Sequence, residues 1–79
     1  MQPNYYDPYF NIGKAYYYLR VYDKALAYYS KSIELKPDFA EAYTMRGTAY
    51  NHDSGDTQHA MKDYNKAIEL KPDFADAYY

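Results

Sequence analysis

One pattern of aromatic and small residues occurs twice in this 79-residue chain, with almost the same spacing. The first copy contains Tyr9, Gly13, Tyr16, Ala25, Tyr29 and Pro37, and the second contains Tyr43, Gly47, Tyr50, Ala60, Tyr64 and Pro72. The two glycines are 34 positions apart and the two prolines are 35 apart. A pattern that returns at such a period indicates copies of one supersecondary unit, which bury their apolar faces by stacking. The sequence therefore predicts two stacked units, the second longer by one residue.

Within each copy the apolar residues follow the spacing of an α-helix rather than that of a β-strand. Tyr9, Ile12, Tyr16 and Leu19 recur every three or four positions, which places them on one helical face. Pro37 ends the second segment, because the residue before a proline avoids helical backbone angles. The spacing predicts four helices and no β-strand, with the helices at about Pro8–Leu19, Tyr22–Lys36, Phe39–His52 and Thr57–Leu70.

Length and repetition together indicate a single domain, because a chain of 79 residues has room for one small core. We expect this domain to cover residues 1–79, with the first unit at 6–39, the second at 40–74 and the start of a third at 75–79. The third start is expected because Lys71–Tyr78 nearly repeats Lys36–Tyr43. This near-copy favours recent duplication or a deliberately chosen segment, as in an excised or engineered repeat block, whereas the break within a repeat favours a fragment of a longer array.

The helix ends carry start and stop residues, with one exception. Asp38 is expected to cap the third helix, with Glu41 completing a capping box, and Asp56 or the threonine after it to cap the fourth. Gly55 suits the turn of the second unit, where the extra residue is also expected. Arg20 occupies that place in the first unit, so it must adopt a left-handed backbone, at about 1 kcal/mol, or form another turn. An overrun first helix with hairpin exchange between chains is the alternative.

Composition excludes several classes of function. The net charge is −2 and no basic block is present, so a nucleic-acid partner is not expected. The longest aromatic and apolar run, Tyr16–Leu19, is far too short to span a bilayer, so no membrane partner is expected. The absence of cysteine excludes disulfides and thiolate chemistry. Together with the lack of a signal-peptide pattern, it favours a cytoplasmic location.

The repeated spacing resembles the tetratricopeptide repeat family over about residues 6–79. The resemblance implies antiparallel helix pairs stacked as a short right-handed α-solenoid, with the glycines and small alanines where paired helices touch. It also implies a protein or peptide partner, held in a groove lined by the first helix of each repeat. Arg46 departs from the family pattern, since a leucine is usual there, and so does Arg20, where a glycine is usual.

The groove implied by the resemblance contains aromatic and polar residues from both units. The expected peptide-binding residues are Phe10, Asn11, Lys14, Tyr17, Tyr18, Thr44, Met45, Thr48 and Asn51. Aromatic rings supply contact area, and their polar tips supply orientation. Alternatively, the rings pack against Met1–Asp7 or in an oligomer contact. Met45 stands where the family's chaperone-tail clamps, and the asparagine ladders of its sugar-transferase members, have asparagine, so neither mode of binding is expected.

The chain is also expected to form a homo-oligomer. Two repeats are fewer than the three that a stable stack usually needs, and no closing helix follows the fourth. The residues expected to meet a second copy are Tyr5, Tyr6, Met61, Tyr64, Ile68, Phe74, Tyr78 and Tyr79. A two-fold contact would give a dimer, and head-to-tail stacking would give a superhelical fibre. Self-assembly without a dedicated ligand is therefore the main alternative to peptide binding.

The sequence offers no catalytic constellation and no cofactor motif. Ser30, Ser32 and Ser54 lie outside any nucleophile-elbow context, and the pattern places neither histidine against a buried acid. His52 and His59 flank a polar turn with two aspartates, but no known metal-binding spacing is present. We therefore expect neither an enzyme nor a cofactor or metal site.

Overall fold

The computed structural model describes residues 7–71, which form four α-helices joined by short connections. The helices are α1 (Asp7–Tyr18), α2 (Tyr22–Leu35), α3 (Ala40–Ser54) and α4 (Thr57–Leu70). No β-strand occurs between residues 7 and 71. The helical spacing predicted each of these elements, and no helix end differs from its predicted position by more than two residues. None of these helices is long and apolar enough to cross a lipid bilayer.

The helices form two hairpins, α1 with α2 and α3 with α4, and the hairpins meet where α2 packs against α3. Each hairpin is closed by a connection of only two or three residues, which makes its helices antiparallel. α1 contacts α3 over a much smaller area. The arrangement is the predicted all-α helical-repeat solenoid, in which each helix pair buries its apolar face against the next.

Arg20 ends α1 in the left-handed backbone region, with a φ angle of 66°. Its N–H donates to the Tyr17 carbonyl at 3.0 Å, and the Val21 N–H donates to the Tyr16 carbonyl at 2.9 Å. These two bonds form a Schellman motif, which usually has glycine at the left-handed position. The chain therefore adopts the strained turn, and α1 stops at Tyr18 within its own hairpin.

Gly55 holds the equivalent left-handed position after α3, also with a φ angle of 66°. The Asp56 N–H donates to the Tyr50 carbonyl at 3.2 Å, six residues back, whereas the matching bond in the first turn reaches back five. The extra residue of the second repeat is therefore part of the last turn of α3, and this helix extends to Ser54. The prediction that this residue lengthens the connecting turn was wrong.

Two buried glycines let the paired helices approach closely. A Cβ atom at Gly13 would stand 2.8 Å from Cδ1 and Cε1 of Tyr29. A Cβ atom at Gly47 would stand 3.0 Å from the Ala60 carbonyl oxygen and 3.0 Å from Cε1 of Tyr64. Neither space admits a side chain unless the neighbouring atoms move, so both glycines mark close helix contacts, as the resemblance implied.

Tyr29 lies at the centre of the core and is completely buried. Its ring centroid is 5.6 Å from that of Phe10, which is 4.8 Å from that of Phe39. Within residues 7–71 the Tyr29 hydroxyl has no hydrogen-bond partner. Burial is the main cause that raises the pKa of Tyr29 above its ordinary value, so the phenol is neutral at physiological pH. The side chain therefore stabilises the fold through its ring and not through its hydroxyl.

The N-terminus of α3 lacks the predicted side-chain cap. Its N-cap residue is Phe39, and no side chain accepts a capping hydrogen bond there. Asp38 instead accepts a hydrogen bond from Lys36 Nζ at 3.0 Å. That hydrogen bond and the lysine charge lower the pKa of Asp38. The predicted capping box of Asp38 and Glu41 was wrong. The helix begins one residue later than predicted, at Ala40, and the ring of its N-cap residue Phe39 packs on Phe10.

Candidate peptide-binding surface

The residues predicted to line a peptide groove divide into two groups. Phe10 and Thr44 are only 4% and 7% exposed and belong to the interior. The others lie on α1 and α3, the first helix of each repeat, with exposed or half-buried side chains. We call this second group the groove face; its residues are Asn11, Lys14, Tyr17, Tyr18, Met45, Thr48 and Asn51.

The prediction that Phe10 and Thr44 bind a partner was wrong. The Phe10 ring contacts Tyr29 and Phe39, where α1, α2 and the start of α3 converge. Thr44 lies 34 positions later and donates to the Ala40 carbonyl at 3.3 Å. This position therefore faces the interior in both repeats. The Phe39 ring, which precedes α3, covers Phe10, and helical spacing alone does not indicate this contact.

Part of the groove face is held in place by neighbouring side chains. Lys14 Nζ lies 5.3 Å from the centroid of the Phe10 ring. Thr48 donates to the carbonyl one turn back at 3.0 Å, and its hydroxyl oxygen lies 2.9 Å from the Tyr64 hydroxyl. Met45 is half-buried against the core of the first repeat. Asn11, Tyr18 and Asn51 are the exposed members of the face.

An aromatic cluster forms a cleft where the end of α1 meets α2 and α3. Tyr17 is its centre, and its ring meets three others edge-on, with centroid distances of 5.3 Å to Tyr18, 5.6 Å to Tyr22 and 5.7 Å to His52. The Tyr22 and His52 rings stack at 5.5 Å. Together with Arg20 these residues line an open cleft of about 290 Å³. We call it the aromatic cleft.

The aromatic cleft was only partly predictable from the sequence. Tyr17 and Tyr18 were expected on the binding surface, but Arg20 and Tyr22 were not. Partial burial, followed by the proximity of other tyrosines, raises the pKa of Tyr17, so its phenol is a neutral donor. The available signal was an arginine at a position where glycine is usual. From the sequence alone this arginine indicates only a strained turn, because spacing does not predict the direction that the turn takes.

The two histidines do not converge on a common site. His52 stacks on Tyr22, while His59 stacks on Tyr50 at 4.9 Å and pairs through Nδ1 with Asp56 at 2.6 Å. Asp56 also accepts from the His59 N–H at 3.2 Å, which confirms the predicted cap of α4. These two bonds lower the pKa of Asp56. Residues 7–71 contain no group of three or more side chains of metal-binding type.

Arg46 forms a half-buried ion pair that the sequence did not predict. Its Nε and Nη2 donate to the two carboxylate oxygens of Asp63 at 2.8 and 2.9 Å, and Nη1 donates to Ser30 Oγ at 3.1 Å. The hydrogen bond to Asp63 raises the Arg46 pKa, although burial opposes the shift. The network links α2, α3 and α4 in place of the usual leucine contact. A signal was present, since Asp63 falls between Ala60 and Ala67 on the inward stripe of α4.

Three of the residues predicted to meet a second copy lie in the described part of the chain. Met61 is 55% exposed, whereas Tyr64 and Ile68 are half-buried against α3. The residues that lie outside the described part are Tyr5, Tyr6, Phe74, Tyr78 and Tyr79. Ile12 on α1 and Leu19, which directly follows α1, are also exposed apolar side chains, at 39% and 70%.

Antiparallel helix pairs that stack side by side, each presenting its first helix at one surface, define a helical-repeat scaffold of the kind used for protein interactions. The chain belongs to the tetratricopeptide repeat family. The family profile described as tetratricopeptide repeat matches residues 6–39, and a second profile, described as TPR repeat, matches residues 51–79. This repeat is a non-catalytic, protein-binding element, as the resemblance implied.

Among curated proteins, the chain is similar to a UDP-N-acetylglucosamine–peptide N-acetylglucosaminyltransferase of Giardia intestinalis (strain ATCC 50803 / WB clone C6). The two sequences are 44% identical over 48 residues, which are 61% of this chain. The match covers 3% of the length of that protein. The similarity is therefore to a repeat segment of the transferase and not to the transferase as a whole.

Proposed function

We propose that this chain is a protein-interaction module that binds an extended peptide segment of a partner along the groove face. The observation that best supports the proposal is the contact between the Tyr17 and His52 rings, 5.7 Å apart. It joins α1 to α3, so that the first helices of both repeats contribute to one continuous surface.

The side chains of the groove face suit a peptide backbone. The Asn11 and Asn51 amides both donate and accept hydrogen bonds, which matches the alternating groups of an extended peptide. Tyr18 is 70% exposed and offers a large ring with a polar tip. Lys14 adds a positive charge on α1 between Asn11 and Tyr18 in the sequence. The similar transferase is named for an action on peptides; for this chain we propose peptide recognition alone.

The proposal is tested by selecting binders from a random peptide display library on the immobilised protein. The selected peptides should lose at least about tenfold in affinity, or ~1.4 kcal/mol, for the double variant Asn11→Ala/Tyr18→Ala. The matched control is Lys24→Ala/Asn65→Ala, which removes exposed side chains of α2 and α4 and should bind like the parent. Failure to enrich any peptide, or equal affinity for both double variants, would overturn the proposal.

A second candidate function, self-association, is supported by the exposed apolar residues on and directly after α1. Ile12 lies 34 positions before Arg46, and Arg46 reaches Ser30 of the preceding helix pair. The surface around Ile12 is thus the repeat equivalent of a surface that already packs against another repeat. We propose that it meets α4 of a second copy, where Met61 is exposed, in the way that α3 meets α2.

Sedimentation over a broad range of protein concentration tests self-association. The parent should exceed the 9.4 kDa monomer mass as concentration rises. The double variant Ile12→Glu/Leu19→Glu should remain a monomer, because burying unpaired charges is unfavourable. The control Lys24→Ala/Gln58→Glu changes the net charge equally and should associate like the parent. A parent mass fixed at that of the monomer would refute the proposal.

A further inference from the structure

The size of the aromatic cleft indicates what can occupy it. Pockets for small molecules and cofactors usually have volumes of 300–1,000 Å³. At about 290 Å³ the cleft lies just below this range, and it is open on one side. It is therefore suited to one side chain of a bound peptide. Its walls are mainly aromatic rings, namely those of Tyr17, Tyr18 and the stacked pair of Tyr22 and His52.

The polar groups of the cleft can all donate hydrogen bonds. Tyr17, Tyr18 and Tyr22 carry phenol groups, His52 an imidazole and Arg20 a guanidinium, and no carboxylate is among the lining residues. Between residues 7 and 71 no Asp or Glu side chain forms an ion pair with Arg20. The cleft thus combines an unneutralised positive charge with flat apolar walls, so it favours an anionic group carried on an apolar stem.

The backbone at Arg20 gives independent support. This residue has a φ angle of 66°, and so does Gly55 at the equivalent position of the second repeat. Glycine accepts this conformation without strain, whereas an arginine does not. Residues in such strained conformations persist only where the surrounding structure holds them, and they cluster at active sites and ligand clamps. The strained side chain here is also the one that supplies the positive charge of the cleft.

We propose that the aromatic cleft is an anchor site for an anionic side chain of a partner peptide. The Arg20 guanidinium binds the oxyanion, which is a carboxylate or a phosphate, and the rings of Tyr18 and Tyr22 contact its stem. The site lies at one end of the groove face, where it shares Tyr17 and Tyr18 with the positions that the family resemblance assigns to ligand binding and adds Arg20 and Tyr22 to them. The inference rests on the proposed function, because it assigns a specificity to peptide recognition.

Nuclear magnetic resonance titration with small probes tests the anchor without any peptide. Phenylacetate and phenyl phosphate each carry an anion on a ring, and phenylacetamide is the neutral isostere of phenylacetate. At least one anion should shift the signals of Tyr18, Tyr22 and His52 and bind at least about tenfold more tightly than the amide. A preference for phenyl phosphate would identify phosphorylated partners, and a preference for phenylacetate would identify Asp or Glu.

Arg20→Gly is the decisive variant, because it removes the charge and also the backbone strain. It should melt at a higher temperature than the parent and yet bind the anions no better than the amide. A loss of binding in a more stable protein cannot be attributed to unfolding. The control Lys62→Ala removes an exposed charge on α4 and should keep the anion preference.

Two results would overturn the anchor. One is equal binding of the anions and the amide to the parent, and the other is an unchanged anion preference in Arg20→Gly. Peptides selected from the display library could still bind the groove face in either case, so the peptide-binding proposal would stand. Conversely, anion binding at the cleft with no selected peptide would refute the proposed function and leave the anion site itself established.

Discussion

Replacing Asp63 by leucine should strongly destabilise the protein, because it leaves the Arg46 guanidinium without its carboxylate. Both carboxylate oxygens accept from Arg46, at 2.8 and 2.9 Å, and the two side chains are only 7% and 20% exposed. Removing one partner of a buried ion pair costs about 3–5 kcal/mol. Arg46 keeps some solvent contact and its bond to Ser30, so we expect a loss of about 2–4 kcal/mol.

That loss is large for a chain of this size. At about 0.05–0.15 kcal/mol per residue, 79 residues give a free energy of unfolding of about 4–12 kcal/mol. Asp63→Leu should therefore lose a substantial fraction of the free energy of unfolding. Arg46→Met should be affected similarly, since it leaves a buried carboxylate. The double variant Arg46→Met/Asp63→Leu should recover to within about 1 kcal/mol of the parent, because apolar residues replace buried ion pairs with little loss.

The assay is urea unfolding followed by far-ultraviolet circular dichroism on all four proteins. Urea is preferred to guanidinium chloride, which would screen the ion pair. A low protein concentration keeps association from adding to the apparent stability. The reasoning would be refuted if Asp63→Leu unfolded within about 0.5 kcal/mol of the parent. It would also fail if the double variant lost the sum of the two single losses, since no coupling between the side chains would then exist.

Other consequences of the packing are tested by single substitutions. Gly13→Leu and Gly47→Leu should each lower stability by at least about 1–3 kcal/mol, and unchanged melting of both would show that the helices do not touch there. Tyr29→Phe should raise stability by about 1 kcal/mol, because it removes a buried hydroxyl without a partner; a lower melting temperature would reveal a partner for that hydroxyl. The folded state lowers the Asp56 pKa, so the stabilisation from this residue is present above pH ~4 and lost as the pH falls through the folded value. Asp56→Asn should flatten that acid-side loss in melting curves, and an unchanged pH profile would rule out the cap as its source. Arg20→Gly should raise stability by about 1 kcal/mol in urea unfolding, and a decrease would mean that the arginine side chain compensates for more than its backbone strain.

Spacing predicted those features of the fold that depend on one helix at a time. The helical period and the Asp56 cap follow from residues within a single helix and its N-cap, whereas the two glycine contacts follow from the resemblance to the repeat family. Phe10 shows where this reasoning ends, because its burial depends on Phe39, which lies 29 positions later, just before α3. Asp63 shows it too, since its partner Arg46 lies 17 positions away on another helix. An inward charge indicates a partner, but sequence alone does not identify it.

The candidate site was predictable to a similar extent. The groove face follows from the resemblance to the repeat family, and seven of the nine residues it implied have exposed or half-buried side chains on α1 and α3. The aromatic cleft combines Tyr17 from α1 with Tyr22 from α2 and His52 from α3. Its existence depends on the path of the chain through Arg20. Spacing offered two turns for that residue, and only the structure determines which one is formed.

The two repeats act as internal controls for each other, because every position of the first repeat has an equivalent position in the second. Where they agree, as at Gly13 and Gly47, the residue meets a packing requirement that any copy of the unit has, and so carries no information about a ligand. Where they differ at the same backbone angle, as at Arg20 and Gly55, packing alone does not determine the residue. Gly55 shows that the unit folds with no side chain at this position, so the arginine adds something other than the fold. That difference, rather than the shared pattern, is the reason to look for specificity at the aromatic cleft.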